Sequence, residues 1–482
     1  MEFSEYLREL IKKNNLTISA LARQTGIERT TLSKVLAGQR VLPYNALDTL
    51  INYLRVTPME EKKLRHFYEV QFEHKGIRES RAIIDKLFSD LSSLDFSMVA
   101  FEERKLLVNI KEYAKERSIF TGSMNVELLL RMALSEELVK KDARIEMTIP
   151  PRYSFLNKEL MQRYLSEDVN AEITQIIAFD SSEDTSGNLH NLKYFCQVLP
   201  FCLLSYQRYH PYYYYDECAQ KHYMDPFPYF MVTSKCVICL SENGQEAMML
   251  RCEDQVSYYH KYFQNLLSQC HKLIKYTVNP AEILNSYSNC TDSDGYYTIM
   301  DQPCFGKYYT DEFIEEHLQQ HIPNREYLLE IAKKRFSVLR NAKKFYTLYT
   351  QKGLQRFMDT GVLDDFPEIL VKPFSMEVRK NLMKKMADDI VSGKNVARIL
   401  ETGVFPDYLS LTTSLDSGVG FFLTKQSPLQ EEFFSIHLEE PYLCKAFHGW
   451  LLGLAESRHA LSAEDTVKIM LDMTKLDICI KI

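Results

Sequence analysis

The sequence has 482 residues, more than the ~250–300 residues that one hydrophobic core supports, so two or three domains are expected. Hydrophobic residues make up 45% and charged residues 26%, which excludes a mostly disordered or collagen-like chain. The formal net charge is −7, yet Lys and Arg outnumber Asp and Glu in residues 1–55. Because phosphate contacts dominate the electrostatics of nucleic-acid binding, we expect only this first segment to meet a polyanion.

The lack of a targeting pattern and the number of cysteines both bear on the cellular compartment of the protein. No apolar run reaches the ~18–20 residues that a membrane span needs, and the first residues lack the charge order of a signal peptide. The eleven cysteines are an odd number without framework spacing, as where thiols stay reduced. We therefore expect a cytoplasmic protein without disulfides and without a membrane partner.

Four short helices are predicted at the start of the chain. Apolar residues recur at helical spacing, and Thr17 can cap the second helix, which Gly26 would end in a left-handed conformation. Gly38 would end the third helix. Two short helices joined through a glycine form a helix-turn-helix arrangement. The predicted helices cover residues 3–15, 18–25, 27–38 and 44–55.

The segment from Leu16 to Arg40 reads LTISALARQTGIERTTLSKVLAGQR. It resembles the lambda-repressor/Cro-like (Xre) helix-turn-helix family, and the resemblance covers residues 3–56. Residues at the family spacing are Leu21, Ala22, Gly26, Leu32, Val35 and Gly38. The resemblance implies that the second helix of the motif lies in the major groove of double-stranded DNA.

The resemblance also implies which side chains meet DNA. By position, the base readers are Arg29, Thr30 and Lys34, with Thr31 and Ser33 beside them. The residues that would hold phosphates are Thr17, Arg23, Gln39 and Arg40. Two residues depart from the family pattern, Ile18 where Gln is frequent and Glu28 where Ser or Thr is frequent. Glu28 can favour a helix N-terminus, but it repels phosphate unless it accepts from a cytosine amino group.

A helical connector is predicted over residues 57–96, as two amphipathic helices at residues 59–72 and 76–94. Their apolar stripes must pack on the head, on the body or on a second subunit. Helix-turn-helix proteins usually bind two half-sites as dimers, so we expect a homodimer with the connector as a possible dimerisation segment. Packing within the chain is the alternative.

The remaining residues predict an α/β body made of two related halves, residues 97–280 and 281–482. Residues 120–132 align with 346–358, and each segment follows an amphipathic helix, at residues 104–116 and 327–339. Residues 229–269 align with 408–457, which matches Phe263 with Phe447. The two offsets differ, which predicts an insertion in the first half, mainly within residues 180–228. The expected fold class is thus multidomain, with an all-α head, a helical connector and this duplicated body.

This duplicated pattern resembles the phospholipase-D-like fold, whose halves each supply a His-x-Lys-x-x-x-x-Asp motif to a shared cleft. That motif is missing, since no histidine in the sequence is followed two residues later by a lysine. His260 directly precedes Lys261, and His448 is followed by Gly449. Without the nucleophile there is no phosphoryl chemistry to assign. The sequence also lacks phosphate-loop, dinucleotide-binding and metalloprotease motifs. We therefore expect no enzyme activity, no catalytic residue, no cofactor and no metal site.

Three further patterns favour structural roles over chemistry. Cys236 and Cys239 lie in an apolar strand, where cysteine packs as a small hydrophobe. His317 and His321 share the spacing of a metal site, but their acidic neighbours favour a solvated helix. The tyrosines at residues 212–215 favour a loop packed over the sheet, with a ligand cleft or an interface as the alternative.

These observations predict a sequence-specific transcription regulator with a large sensing body. The ligand of the body is open between a small molecule, a peptide and a protein, and the halves should meet along a cleft that suits it. Two alternatives come from other classes of protein. One is an enzyme or toxin-like effector whose head only regulates its own gene, and the other is a protein-interaction scaffold.

Overall fold

The computed structural model forms two compact units, Met1–Glu79 and Ser80–Ile482. No helix among the described residues is long and apolar enough to cross a membrane. The structure describes residues 3–14, 16–38, 40, 42, 44–54, 56–93, 117–166, 171–182, 185–205, 207–216, 225–279, 282–283, 295–364, 366, 369–423 and 434–479.

The first unit is a bundle of short helices close to the predicted ones. The hydroxyl of Thr17 accepts from the backbone N–H of Ala20 at 3.2 Å and so caps the second helix. Gly26 has a φ of 72°, a left-handed conformation that favours glycine, and ends that helix as predicted. The first four helices are α1 (Phe3–Lys13), α2 (Ile18–Thr25), α3 (Arg29–Leu36) and α4 (Tyr44–Leu54).

The predicted connector contains one continuous helix, α5 (Pro58–Ser92), in place of the two helices that were predicted. Leu64 and Tyr68 are fully buried in the core of the first unit, and the Tyr68 hydroxyl donates to the carbonyl oxygen of Leu42 at 2.6 Å. These side chains complete that core. The first unit therefore extends past residue 56, the predicted end of the head.

The last residues of α5 belong to the second unit. Phe88 and Leu91 are buried in the core of the body, and the Trp450 indole N–H donates to Asp85 Oδ1 at 2.7 Å. The apolar stripes proposed as possible dimer contacts are thus mostly buried within the chain. Packing within the chain, the alternative prediction for this segment, is what the described residues show.

The first sheet of the body has eight strands. Three neighbouring strands of this sheet are parallel to each other: β2 (Arg144–Met147), β3 (Glu172–Asp180) and β4 (Tyr209–Asp216). The others run antiparallel to their neighbours: β1 (Ile119–Thr121), β5 (Tyr229–Val232), β6 (Val237–Leu240), β7 (Glu246–Leu250) and β8 (His271–Lys272). The strand order is β1-β7-β6-β5-β2-β3-β4-β8. Its helices are α6 (Ser123–Leu138), α7 (Ser154–Ser166), α8 (Thr185–Leu204) and α9 (Glu253–Leu267).

The second sheet has seven strands. Three of them, β10 (Gly295–Ile299), β11 (Lys344–Thr350) and β12 (Asn395–Leu400), are parallel. The antiparallel strands are β9 (Ile274–Thr277), β13 (Leu409–Ser414), β14 (Gly418–Leu423) and β15 (Ser435–Leu438). The order is β12-β11-β10-β13-β14-β15-β9. Around it lie α10 (Asp311–His317), α11 (Arg325–Asn341), α12 (Gln351–Thr360), α13 (Met376–Val391), α14 (Pro441–Leu454) and α15 (Ala463–Cys479).

The two sheets repeat one topology. When β1 is matched with β9 and β2 to β7 with β10 to β15, these seven strands have the same order and the same parallel and antiparallel neighbours in both sheets. Strand β8, at the edge of the first sheet, has no counterpart among the described strands of the second. Helices α9 and α14 then occupy the same place, directly after the last strand of each repeat. The body therefore contains two halves with one fold, as the sequence predicted, but β9 belongs to the second sheet, so the second half begins before the predicted boundary at residue 281.

Only one of the two sequence alignments agrees with this topology. Residues 229–269 and 408–457 do correspond, and Phe263 and Phe447 are both fully buried. The alignment of residues 120–132 with 346–358 is wrong, because β1 is an antiparallel edge strand and β11 is a central parallel one. The helix predicted at residues 104–116 lies outside the described residues, whereas that at 327–339 is α11.

The insertion is also not where the sequence predicted it. Residues 180–228 contain α8 and β4, which both have counterparts in the second half. The second half instead has the longer connections, with two α-helices in each crossover where the described residues of the first half have one. The tyrosines at residues 212–215 lie within strand β4 and not in a loop.

One apolar core joins the halves. It contains residues from both sheets together with α8 of the first half and α14 of the second. The ring of Phe195 lies 5.7 Å from that of Phe447 and 6.3 Å from that of Phe421. At this place the halves therefore meet through packed aromatic side chains and not through the predicted open cleft. Cys236 and Cys239 are buried, as expected of core residues.

Candidate nucleic-acid interface

Helix α3 has one buried face and one exposed face. Leu32 and Val35 are almost fully buried in the core of the first unit, and Leu36 is 7% exposed. The opposite face carries four exposed polar side chains at helical spacing. They are the predicted base readers Arg29, Thr30 and Lys34 with their neighbour Ser33. The structure thus brings these four residues together on one surface.

Thr31 lies on the other side of the helix. Its side chain is 8% exposed, and its hydroxyl accepts a hydrogen bond from Nη1 of Arg40 at 3.2 Å. A guanidinium has five N–H donors, and this bond uses one of them. Thr31 is therefore placed to orient the exposed Arg40 and not to reach a base itself, which the sequence did not reveal.

Glu28 stands at the N-terminus of α3 without capping it. Its carboxylate accepts from the Thr30 hydroxyl at 3.3 Å and makes no hydrogen bond to the backbone of the first turn. The carboxylate therefore lies beside a predicted base reader. At this position it can select a base that offers a hydrogen-bond donor and disfavour phosphate.

The predicted phosphate contacts are distributed around α2 and the end of α3. Thr17 is exposed and caps α2, and Arg23 is exposed in the last turn of the same helix. Arg40 is exposed beyond α3, while Gln39 lies outside the described residues. Backbone N–H groups at the N-terminus of α2 add partial positive charge beside Thr17. Thr17, Arg23 and Arg40 are thus exposed to solvent with hydrogen-bond donors.

The two histidines at metal-site spacing, His317 and His321, do not lie on one helix. Helix α10 ends at His317, and the imidazole of that residue stacks on Phe313 with ring centroids 4.0 Å apart. His321 lies exposed beyond the helix. His317 therefore belongs to an aromatic cluster and not to the solvated helix that was predicted.

Comparisons with known proteins give a family match and several distant structural likenesses, two of which follow. The archaeal chromatin protein TrmBL2, whose structure is described as showing a novel mode of DNA binding, is 13% identical, with a TM-score of 0.22 over 56% of this chain and 99% of that chain. The phosphatidylserine synthase of Haemophilus influenzae is 10% identical, with a TM-score of 0.23 over 77% of this chain and 98% of that chain. No curated protein matches the sequence. The family model that matches, over residues 2–64, is that of a helix-turn-helix domain, which indicates a DNA-binding regulator.

Proposed function

We propose that this protein is a cytoplasmic, sequence-specific transcription regulator that binds double-stranded DNA as a homodimer and senses a ligand through its body. The exposed face of α3 carries the proposal. It presents a guanidinium, an ammonium and two hydroxyls on one short helix whose other face is buried. Such donors bind base edges in the major groove.

The proposed division of contacts follows from the positions of the side chains. Arg29, Thr30 and Lys34 read bases, with Ser33 beside them, because they share the exposed face of α3. The phosphate contacts come from Thr17, Arg23 and Arg40. Gln39 is also predicted to contact a phosphate. Base contacts carry the specificity, and phosphate contacts fix the register.

The test is binding to DNA selected from a random duplex library, measured by fluorescence anisotropy at two salt concentrations. Arg29→Ala and Lys34→Ala should each weaken binding to the selected site by about 1–3 kcal/mol and relax its sequence preference. Lys63→Ala, which removes the same charge from the exposed surface of α5, is the control. Unchanged affinity in both α3 variants would contradict the assignment of α3 as the recognition helix.

The homodimer needs a surface other than the buried stripes of α5, and we propose α9. The equivalent helix α14 buries seven side chains, whereas α9 buries only Phe263. Tyr258 and Tyr262 of α9 are 66% and 44% exposed. The matching surface of α14 is covered by α5, whose Ser80 hydroxyl lies 3.2 Å from that of Tyr442. This supports the proposal that a second copy covers α9 through a two-fold contact.

Sedimentation velocity of the full chain tests the dimer. Tyr258→Glu places a charge on α9 and should shift a dimer to monomer, with weaker operator binding, because two linked half-sites bind more tightly than one. Tyr327→Glu is the matched control, since Tyr327 is 56% exposed on α11. A monomer before any substitution would refute the dimer. Dissociation of both variants would refute the α9 contact.

The body has a proposed sensing role and no proposed catalytic one. The body is far larger than folding or dimerisation of the helix-turn-helix head requires. A ligand bound to the body can shift the geometry of the heads only through its different affinities for the two arrangements, typically ~1–3 kcal/mol. Thermal-shift screening of the full chain against metabolites, nucleotides and short peptides tests the role. A co-purifying protein with no stabilising small molecule would favour the scaffold.

A further inference from the structure

An apolar cavity that opens to solvent lies in the second half of the body, with an accessible volume of about 50 Å³ and about 530 Å³ of space when its open mouth is included. Its walls come from α10, from α11 and from five residues that follow them in the chain, Leu363, Phe366, Leu370, Val371 and Phe374. All of the lining side chains are aliphatic or aromatic. They include Phe313, His317, Leu328, Ala332, Phe336 and Phe374.

The aromatic walls are held in place by their neighbours. Phe374 meets Phe313 and His317 edge-on, with ring centroids at 5.2 Å and 4.8 Å. His317 Nδ1 lies 2.9 Å from the carbonyl oxygen of Phe313, and because a carbonyl only accepts, Nδ1 carries the hydrogen. The rings therefore present fixed faces and edges, which is the arrangement in which a ring-containing ligand gains most.

Backbone hydrogen bonds hold the wall opposite α11. The N–H of Gln319 donates to the carbonyl oxygen of Leu370 at 2.8 Å, and the N–H of Lys372 donates to that of His317 at 3.0 Å. Leu318 and Val371 pair between them as an isolated antiparallel bridge. The cavity is thus bounded by two helices and by two chain segments that these backbone hydrogen bonds join.

The repeat itself does not require this cavity. In the first half the connection between β2 and β3 has one α-helix, α7, among the described residues. The equivalent connection between β10 and β11 has both α10 and α11, and these two helices line the cavity. The cavity therefore belongs to an addition found in only one half.

We infer that this cavity binds a small uncharged molecule with one ring or two fused rings, which acts as the effector of the proposed regulator. No lysine, arginine, aspartate or glutamate lines the site, so a charged ligand would lose its hydration without gaining an ion-pair partner among these residue types. An apolar ring gains from leaving water and from contact with the aromatic walls. The effector role rests on the proposed function, whereas binding itself does not.

Isothermal titration of the full chain with indole tests binding, and indole-3-carboxylate is the charged counterpart. Indole should bind at least tenfold more tightly than the carboxylate. Ala332→Phe fills the cavity and should weaken indole binding at least tenfold, while Val391→Ser, a change at an exposed side chain of the same half, should not. If Ala332→Phe does not fold, Leu328→Phe one turn earlier on α11 serves the same purpose.

Equal or tighter binding of the carboxylate, or unchanged indole affinity in a folded cavity-filling variant, would overturn the inference. So would the absence of indole binding. Arg29→Ala should retain full indole affinity while losing affinity for DNA. Normal indole binding with no effect of any α3 variant on DNA affinity would therefore count against the proposed function alone.

Discussion

Phe263 and Phe447 occupy equivalent positions in the two halves of the body, and each is fully buried on the helix that ends its repeat. Their surroundings differ. Phe447 meets the rings of Phe88, Phe195 and Phe421 within 6.2 Å. Phe263 lies 6.3 Å from the ring of Phe230, in a small cluster on the outer face of the first sheet. One repeat unit thus uses the same residue in two different packing environments.

Phe447→Ala should destabilise the body more than Phe263→Ala. Removing a buried phenylalanine typically costs about 3–5 kcal/mol, and the cost grows with the cavity that remains. Phe447 is enclosed by more rings, so its loss should lie toward the upper end. The midpoint of urea unfolding measures the difference, with Tyr327→Ala at an exposed site as control. Equal shifts for both variants would contradict the packing difference.

Thr57 and Glu60 cap α5 reciprocally. The Glu60 carboxylate accepts from the Thr57 N–H at 2.9 Å, and the Thr57 hydroxyl accepts from the Glu60 N–H at 3.3 Å. Thr57→Ala should therefore destabilise the first unit by about 1 kcal/mol. Hydrogen exchange of the amides of α1 and α5 in the full chain measures this. Thr57→Ser, which keeps the hydroxyl, should restore protection.

Protonation of Glu60 should weaken the same unit at low pH. A hydrogen bond from Lys13, followed by those from Thr57, lowers the pKa of Glu60 from 4.5 to about 2. A depressed carboxyl pKa means that the contribution is fully present above pH ~4.5 and is lost as the pH falls toward 2. Amide exchange in α1 should accelerate over that range. In Glu60→Gln the acceleration should be smaller, and an unchanged pH profile would contradict the assignment.

A fragment of residues 1–56 should fold poorly, whereas residues 1–79 should fold. The shorter fragment lacks Leu64 and Tyr68, which complete the core of the first unit. Circular dichroism with thermal melting distinguishes the two. Within the longer fragment, Tyr68→Phe keeps the ring but loses the hydrogen bond to Leu42, at a cost of about 0.5–1.5 kcal/mol. A cooperative melt of residues 1–56 would contradict this prediction.

Thr31→Val should weaken DNA binding through Arg40. The substitution keeps the shape of the buried side chain but removes the acceptor that orients the guanidinium. Arg40→Ala should lower the slope of log affinity against log salt by about 1, as expected for a lost phosphate contact. If Thr31 acts only through Arg40, the double variant should bind no more weakly than Arg40→Ala. Additive losses would show a separate role for Thr31.

The sequence by itself determined the local features of the first unit. Thr17, Gly26 and the apolar spacing of α3 act over a few residues, so caps, turn and exposed face could be predicted without tertiary information. The matching of residues 229–269 with 408–457 succeeded for the same reason, because hairpins followed by a helix leave a local pattern.

Tertiary structure decided what depends on contacts between distant residues. The pairing of β1 with β7 and of Thr31 with Arg40, and the burial of α5, arise from packing that local spacing does not encode. The aromatic cavity likewise forms where residues 313 and 374 meet across the fold. A short strand has the same local pattern at the edge of a sheet or at its centre, so only strand pairing could distinguish β1 from β11.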